Sequence, residues 1–155
     1  MDCIYAETSR ESLDLLVELR IDFLRHVGRD FSEAHLDSLR DGTRKVLRAQ
    51  IEEGTYTGFT GTVGAAVACA AGLFVYETPP ILNPLPRRTG YIFNFYTKPE
   101  FRNRGYARGL MEFIQDYAGK NGIGSLQLRS TEAGEALYKK CGFEKIPNMM
   151  EWEVP

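Results

Sequence analysis

The stretch Asn94-Phe95-Tyr96-Thr97-Lys98-Pro99-Glu100-Phe101-Arg102-Asn103-Arg104-Gly105-Tyr106-Ala107-Arg108-Gly109-Leu110-Met111 reads as a strand that stops, a short basic loop and a helix that begins. The aromatic run ends at Lys98-Pro99, because proline has no N–H to give a sheet ladder. Apolar positions resume at helical spacing with Tyr106, Leu110, Phe113, Ile114 and Tyr117. Between the two lies Arg102-x-x-Gly105-x-Ala107. Small residues in the first turn of a helix let a ligand approach the backbone, and the N–H groups left over there favour an anion. Arg102, Arg104 and Arg108 add positive charge around that spot. Locally this reads as a seat for a phosphate or pyrophosphate. An ordinary turn flanked by three solvated arginines fits the same residues, so the rest of the chain has to choose.

The chain of 155 residues suits one domain spanning 1–155, large enough to bury a core without a metal or disulfide staple. A formal net charge of −2 argues against nucleic acid or an anionic membrane as partner, since both call for clustered excess positive charge. Cys3, Cys69 and Cys141 show no CxxC spacing, and His26 and His35 complete no metal-ligand pattern, so no metal is expected. Free thiols in a reducing compartment follow. The start Met1-Asp2-Cys3-Ile4-Tyr5 has no basic stretch leading into an apolar run, and no segment reaches the roughly 18 apolar residues of a membrane span. The expectation is a soluble cytoplasmic protein.

Moving outward, Ile4-Tyr5-Ala6 predicts a first strand, and Thr8-x-x-Glu11 has the form of a capping box before a helix. That helix carries Leu13, Leu16, Val17, Leu19, Phe23, Leu24 and Val27 and ends at Gly28. A second helix begins near Ser32, with Gly42-Thr43 predicting a break or bend. From Gly54 the period changes, predicting a strand that turns near Gly61-Thr62 and a partner from Ala65 to Tyr76. The small residues of that partner suggest close packing under another element. Glu77 to Thr89, with Pro79, Pro80, Pro84 and Pro86, predicts an irregular surface loop of the kind that borders binding sites. Tyr91 to Thr97 is the central strand, followed by a helix to about Lys120, a strand at 125–130 and a short helix around Leu137. Phe143–Ile146 and Met149–Val154 predict a terminal strand pair. The whole is an α/β arrangement, a mixed and mostly antiparallel sheet of about seven strands with helices on both faces.

Two motifs give this order a family. Arg102-x-x-Gly105-x-Ala107 follows a strand ending Tyr96-Thr97-Lys98-Pro99-Glu100, and Leu137-Tyr138-Lys139-Lys140-Cys141-Gly142-Phe143 follows the next strand. Together, and over essentially the whole chain, they resemble the GNAT superfamily of acyl-CoA-dependent N-acyltransferases. The resemblance implies acetyl-CoA as co-substrate, its pyrophosphate held by backbone N–H groups of Arg102, Asn103, Arg104, Gly105, Tyr106 and Ala107. It also implies a splay between the strands at 91–97 and 125–130. Phe95 and Thr97 would pair with the pantetheine arm there as an added strand would. The thioester carbonyl would meet a backbone N–H near Phe95 or Tyr96. Tyr138 matches the tyrosine that in many relatives protonates the leaving thiolate; packing beside Phe143 is its plainer role. The same resemblance allows a homodimer built on the terminal strands.

Two departures from the family pattern bear on mechanism. Relatives often carry a glutamate on the central strand as general base, but Tyr91-Ile92-Phe93-Asn94 has no carboxylate. Asn94 can orient water or substrate but cannot take a proton at neutral pH. Glu77, Asp30 and His26 are the other candidates, and a weakly basic amine could arrive already deprotonated. Thr131 stands where relatives often have a cofactor-contacting asparagine; it suits a helix cap that keeps a weaker bond to the cofactor.

The leading expectation is acetyl transfer from acetyl-CoA to a primary amine of a small molecule or a peptide by direct attack, with Tyr138 as acid. Cys141 has no activating base nearby in sequence, which disfavours a covalent route. The acceptor side is expected from Phe23 to Phe31, the proline loop and the terminal strands, with no acidic cluster to select a polycation. The competing class is a coenzyme A-binding sensor without catalysis, suggested by the missing base. Dinucleotide binding fails, because Gly105-Tyr106-Ala107-Arg108-Gly109 lacks the fingerprint spacing.

Overall fold

The computed structural model describes residues 2–8, 10–80 and 87–154. Alternating and continuous apolar runs form β1 (Ile4–Thr8), β2 (Tyr56–Val63), β3 (Ala66–Thr78), β4 (Arg87–Thr97) and β5 (Ser125–Leu128). The helical periodicities form α1 (Leu13–His26), α2 (Glu33–Glu52), α3 (Tyr106–Lys120) and α4 (Glu132–Lys140). The strands make one sheet in the order β1-β2-β3-β4-β5, antiparallel through β4, with β4 and β5 parallel. Helices cover both faces. On one face Leu110, Met111, Ile114 and Ala118 of α3 bury against Phe59, Ala71, Leu73 and Ile92, and Tyr138 of α4 packs on the same cluster. On the other, Leu16 and Val17 of α1 and Leu47 of α2 meet Tyr56.

The residues behind this architecture also explain where the sequence patterns mislead. Thr8 does not start a capping box: it ends β1 opposite Gly58, and strand pairing claims it. A 3-10 turn at Arg10–Ser12 then leads into α1, and no side chain caps that helix. The β2–β3 turn falls at Gly64, with φ 61°, and Gly61 stays inside β2. A Cβ on Gly61 would lie 2.6 Å from Cys69 Sγ and 2.9 Å from Cys3 Sγ, so its smallness serves packing. The alanine-rich start of β3 is closely packed as expected, with Ala68, Ala70 and Ala71 buried. Helix α2 begins behind Ser32, whose Oγ accepts from His35 N–H, and runs unbroken through Gly42. A helical glycine costs about 1 kcal/mol against alanine. Arg40 and Arg44 on either side of it reach Glu18 and Asp14 of α1 at 2.8 and 3.0 Å and tie the two helices together.

Two expectations about the sheet need correction. β4 starts at Arg87, so Glu77–Thr78 and Arg87–Arg88 pair as strand where a proline loop was predicted. The remaining 81–86, including Pro84 and Pro86, lie outside the described residues. The terminal strand pair does not form either: 143–154 carries no ladder, Met150 is 96% exposed and Trp152 78%. The sheet therefore has five strands rather than about seven. Met150, Trp152 and Val154 alternate with glutamates as a strand would, but a strand also needs a paired edge. Here a side-chain ion pair, Arg129–Glu151, joins the segment to the residue after β5.

One irregularity positions everything that follows. The β4–β5 ladder runs from Thr89–Ser125 to Ile92–Leu128 and stops where β5 stops, while β4 continues to Thr97. Its outer edge from Phe93 onward is thus open toward β5, which is the predicted splay. Opposite β3 the register slips by one residue, so that Asn94 and Phe95 together face Ala71. This is a β-bulge, with Asn94 at φ 53°.

Candidate active site

The splay opens into a cavity of about 960 Å³ between the ends of α1, α3 and α4. Of the predicted site residues, Asn94, Phe95, Tyr96, Thr97, Arg102, Asn103, Gly105, Tyr106, Ala107, Thr131 and Tyr138 line it. Arg104 does not; it is exposed beside the loop. At one end is the loop before α3. A 3-10 turn at Pro99–Phe101 lifts the chain off β4, and Asn103 and Gly105 both adopt positive φ, 59° and 81°. Gly105 has nothing within 4 Å of where a Cβ would stand, so its glycine answers to backbone conformation and not to crowding. The first bond of α3 runs from Gly109 N–H to the Gly105 carbonyl, and the N–H groups of Ala107 and Arg108 point out of the helix end. Successive N–H groups in such a turn make an anion cradle.

Arginine chemistry reinforces the cradle. Arg102 donates from Nε to the Thr97 carbonyl at 3.0 Å, lies over the Tyr96 ring and approaches the His26 ring nitrogens at 3.2 and 3.3 Å. It is thereby held as a fixed positive wall. Thr131 caps α4, its Oγ1 accepting from Gly134 N–H at 3.2 Å, which is the capping role its sequence position suggested. Among the described lining residues Arg20, His26, Arg102, Arg108 and Arg129 are basic and none is Asp or Glu. Such a cavity fits a polyanionic ligand with an extended arm: a phosphate seat at one end and an open strand edge at the other.

Tyr138 stands across from that edge. Its ring packs edge-on against Phe95 at 5.8 Å and Phe143 at 6.1 Å, and its hydroxyl has no hydrogen-bond partner among the described residues. Burial, with Cys141 adding to it, pushes the phenol pKa above the ordinary value, so the group is a proton donor at neutral pH. Cys141 lies outside the cavity lining, and burial raises its thiol too, which disfavours the thiolate. Of the three alternative bases only His26 lines the cavity, and Glu77 instead pairs with Arg88 at 3.5 Å. Asn94 lines the cavity with its Oδ1 accepting from Arg20, which leaves its amide N–H donors outside that bond.

Arg20, Gln50, Phe74, Tyr91 and Phe93 also line the cavity. None stands out in the sequence, since each reads as a periodic core or surface position of its own element. Among the described residues no group of three or more His, Cys, Asp or Glu is placed to hold a metal ion, and no helix is long and apolar enough to cross a membrane.

A loop shaped to receive an anion, a splayed strand and a tyrosine lining the same cavity are what a coenzyme A-dependent acyltransferase would need. The chain belongs to the Acetyltransferase (GNAT) family, whose sequence model matches residues 17–143. Its fold is similar to that of a predicted acetyltransferase from Clostridium acetobutylicum determined with acetyl-CoA, at TM-score 0.86 and 21% identity over 98% of this chain and 96% of that one. A GCN5-related N-acetyltransferase from Ralstonia eutropha JMP134 aligns at TM-score 0.82 and 29% identity, covering 98% and 99%. Glucosamine-6-phosphate N-acetyltransferase from Arabidopsis thaliana shares the fold at TM-score 0.70 and 14% identity over the full length of both chains. No curated protein matches the sequence. The protein is an acyltransferase of the kind that uses acetyl-CoA as donor.

Proposed function

We propose that this chain, acting as one catalytic domain, moves the acetyl group of acetyl-CoA to the primary amine of a small molecule or peptide by direct attack. The observation that carries the reading is the Tyr138 hydroxyl, unpaired, held protonated and lining the same cavity as the open β4 edge. Acetyl-CoA supplies an activated thioester carbonyl. The loop from Arg102 to Ala107 holds pyrophosphate through its backbone N–H groups, and the edge from Phe93 to Thr97 pairs with the amide arm. A backbone N–H at the bulge, near Phe95 or Tyr96, stabilises the developing oxyanion. Tyr138 Oη gives its proton to the departing sulfur.

Among the described residues no carboxylate lines the cavity to take the amine's proton. The arginines disfavour a bound ammonium, so the amine enters neutral and its proton goes to solvent; Asn94, tied to Arg20, positions and does not accept a proton. Three free cysteines are in keeping with a cytoplasmic setting. The test is release of free thiol from acetyl-CoA over a broad amine panel. Turnover on at least one amine is the expected result. Saturable acetyl-CoA binding with no turnover on any of them would make the protein a sensor instead.

A further inference from the structure

The far end of the cavity holds a positive charge that the donor does not account for. Arg20 leaves α1, which covers the sheet face opposite α3 and its phosphate cradle. The arginine is half-buried. Its Nη1 donates to Asn94 Oδ1, and its guanidinium lies 5.7 Å from the centre of the Phe23 ring. Among the described residues no carboxylate pairs with it. Elsewhere in the molecule Arg40, Arg44, Arg88, Arg108 and Arg129 each meet an acidic side chain. Burial pulls the Arg20 pKa below the ordinary arginine value, the sign of a charge short of compensation.

A buried charge persists when something pairs with it. Asn94 offers only a neutral dipole, and it is held against Arg20 by the bulge, at the positive φ that Asn tolerates better than most residues. Among the described residues one donor of the guanidinium fork is engaged, and Arg20 itself lines the cavity. Phe23, whose ring the guanidinium overlies, lines the cavity with it, as do the aromatic rings of Phe74, Tyr91 and Phe93. The geometry points to Arg20 as the seat for an anionic group on the acceptor, which makes the acceptor a small amine carrying its own carboxylate or phosphate on an apolar frame. This rests on the acetyl-transfer reading for the word acceptor, but the anion seat itself does not need turnover.

The experiment compares matched ligands on the unaltered protein: amino acids against their α-amides, and O-phosphoethanolamine against ethanolamine. The anionic member of a pair is expected to have a KM about 10- to 100-fold lower, the size of a charge-assisted hydrogen-bonded contact. Which pair shows the effect separates carboxylate from phosphate. Arg20→Gln should abolish the preference while the KM for acetyl-CoA stays unchanged, and Arg20→Lys should restore only part of it, because an ammonium lacks the planar fork. Equilibrium binding of the same compounds to the protein loaded with coenzyme A runs beside the kinetics. Anion binding that depends on Arg20 without any turnover would keep the seat and sink the catalytic reading. Acetylation indifferent to ligand charge, or no binding of any anionic member, would overturn the seat.

Discussion

At its proposed donor end the cavity is lined by residues from one stretch of chain between Phe95 and Arg108, whereas at its proposed acceptor end it is lined by residues from α1, α2, β3 and β4. The difference decides what each end can tolerate. A backbone cradle binds through N–H groups that every residue but proline has, so its demands are conformational: positive φ at Gly105 and a small residue at Ala107. The proposed acceptor end would bind through side chains such as Arg20, Gln50, Phe74 and Phe93, which come from four different elements. Chemistry is expected to be shared with relatives at the first end and particular to this chain at the second.

The largest effect should come where the two ends meet. Tyr138→Phe keeps the ring between Phe95 and Phe143 and removes only the proton donor. It should lower kcat by about 10²- to 10⁴-fold, the range for a positioned general acid, with both KM values nearly unchanged. Steady-state kinetics would show this, and an unchanged kcat would take Tyr138 out of the mechanism. Because the phenol pKa is raised, the unaltered enzyme should stay active past pH 10.0, the ordinary tyrosine value, and lose rate only above it as the donor ionises. Next in size is Gly105→Val. A left-handed backbone costs a non-glycine residue about 1–2 kcal/mol and a β-branched one more. Acetyl-CoA affinity should fall about tenfold or more by calorimetry, with acceptor KM unaffected at saturating donor. Equal damage to both would mean that the ends are not separable.

A smaller and opposite-sided change is Asn94→Asp. It would place a carboxylate against Arg20 and occupy the charge internally, as Glu18 does for Arg40. The KM of an anionic acceptor should rise about tenfold while donor affinity holds, since one charge-assisted contact is exchanged for another. If instead acceptor KM is indifferent, the acceptor end does not recognise charge through this pair.

The same contrast explains what could be read from the sequence. The strand, loop and helix proposed as the donor seat were legible because their residues are contiguous and their types are conformational requirements: Pro99 follows the end of the strand and Gly105 turns the loop ahead of the helix. Helices and strands with clean periods were legible for the same reason, down to the start of α2 near Ser32 and Thr131 as the cap of α4. Arg20 was not, because its significance is a neighbour 74 positions away on another element and the absence of a carboxylate, neither of which leaves a local pattern. Thr8 and the Met149–Val154 alternation misled in the opposite direction. Each has a convincing local pattern, but tertiary pairing gives Thr8 to a strand and denies the terminal segment a partner.

The weakest expected effect lies beneath the donor end and asks whether its backbone is rigid by itself. The Tyr106 carbonyl in the first turn of α3 accepts from Tyr5 Oη at 3.1 Å and from Cys69 Sγ at 3.7 Å, so strands β1 and β3 brace the cradle from below. Burial, with Cys3 adding to it, pushes the Cys69 thiol from the ordinary 9.0 up to about 12. A pKa raised on folding means that the unfolded chain ionises first. The stabilisation is therefore complete below pH 9.0 and is lost as pH climbs toward about 12. Cys69→Ala should cost about 1 kcal/mol near neutrality, since the bond it removes is a weak thiol donor. It should also flatten the fall in Tm between pH 9 and 12, because the alanine has no proton to lose. Acetyl-CoA affinity should weaken no more than a few-fold, with acceptor KM untouched. A donor affinity that collapsed with this one thiol would show that the cradle borrows its shape from the sheet, and that its sequence motif specifies only part of the site.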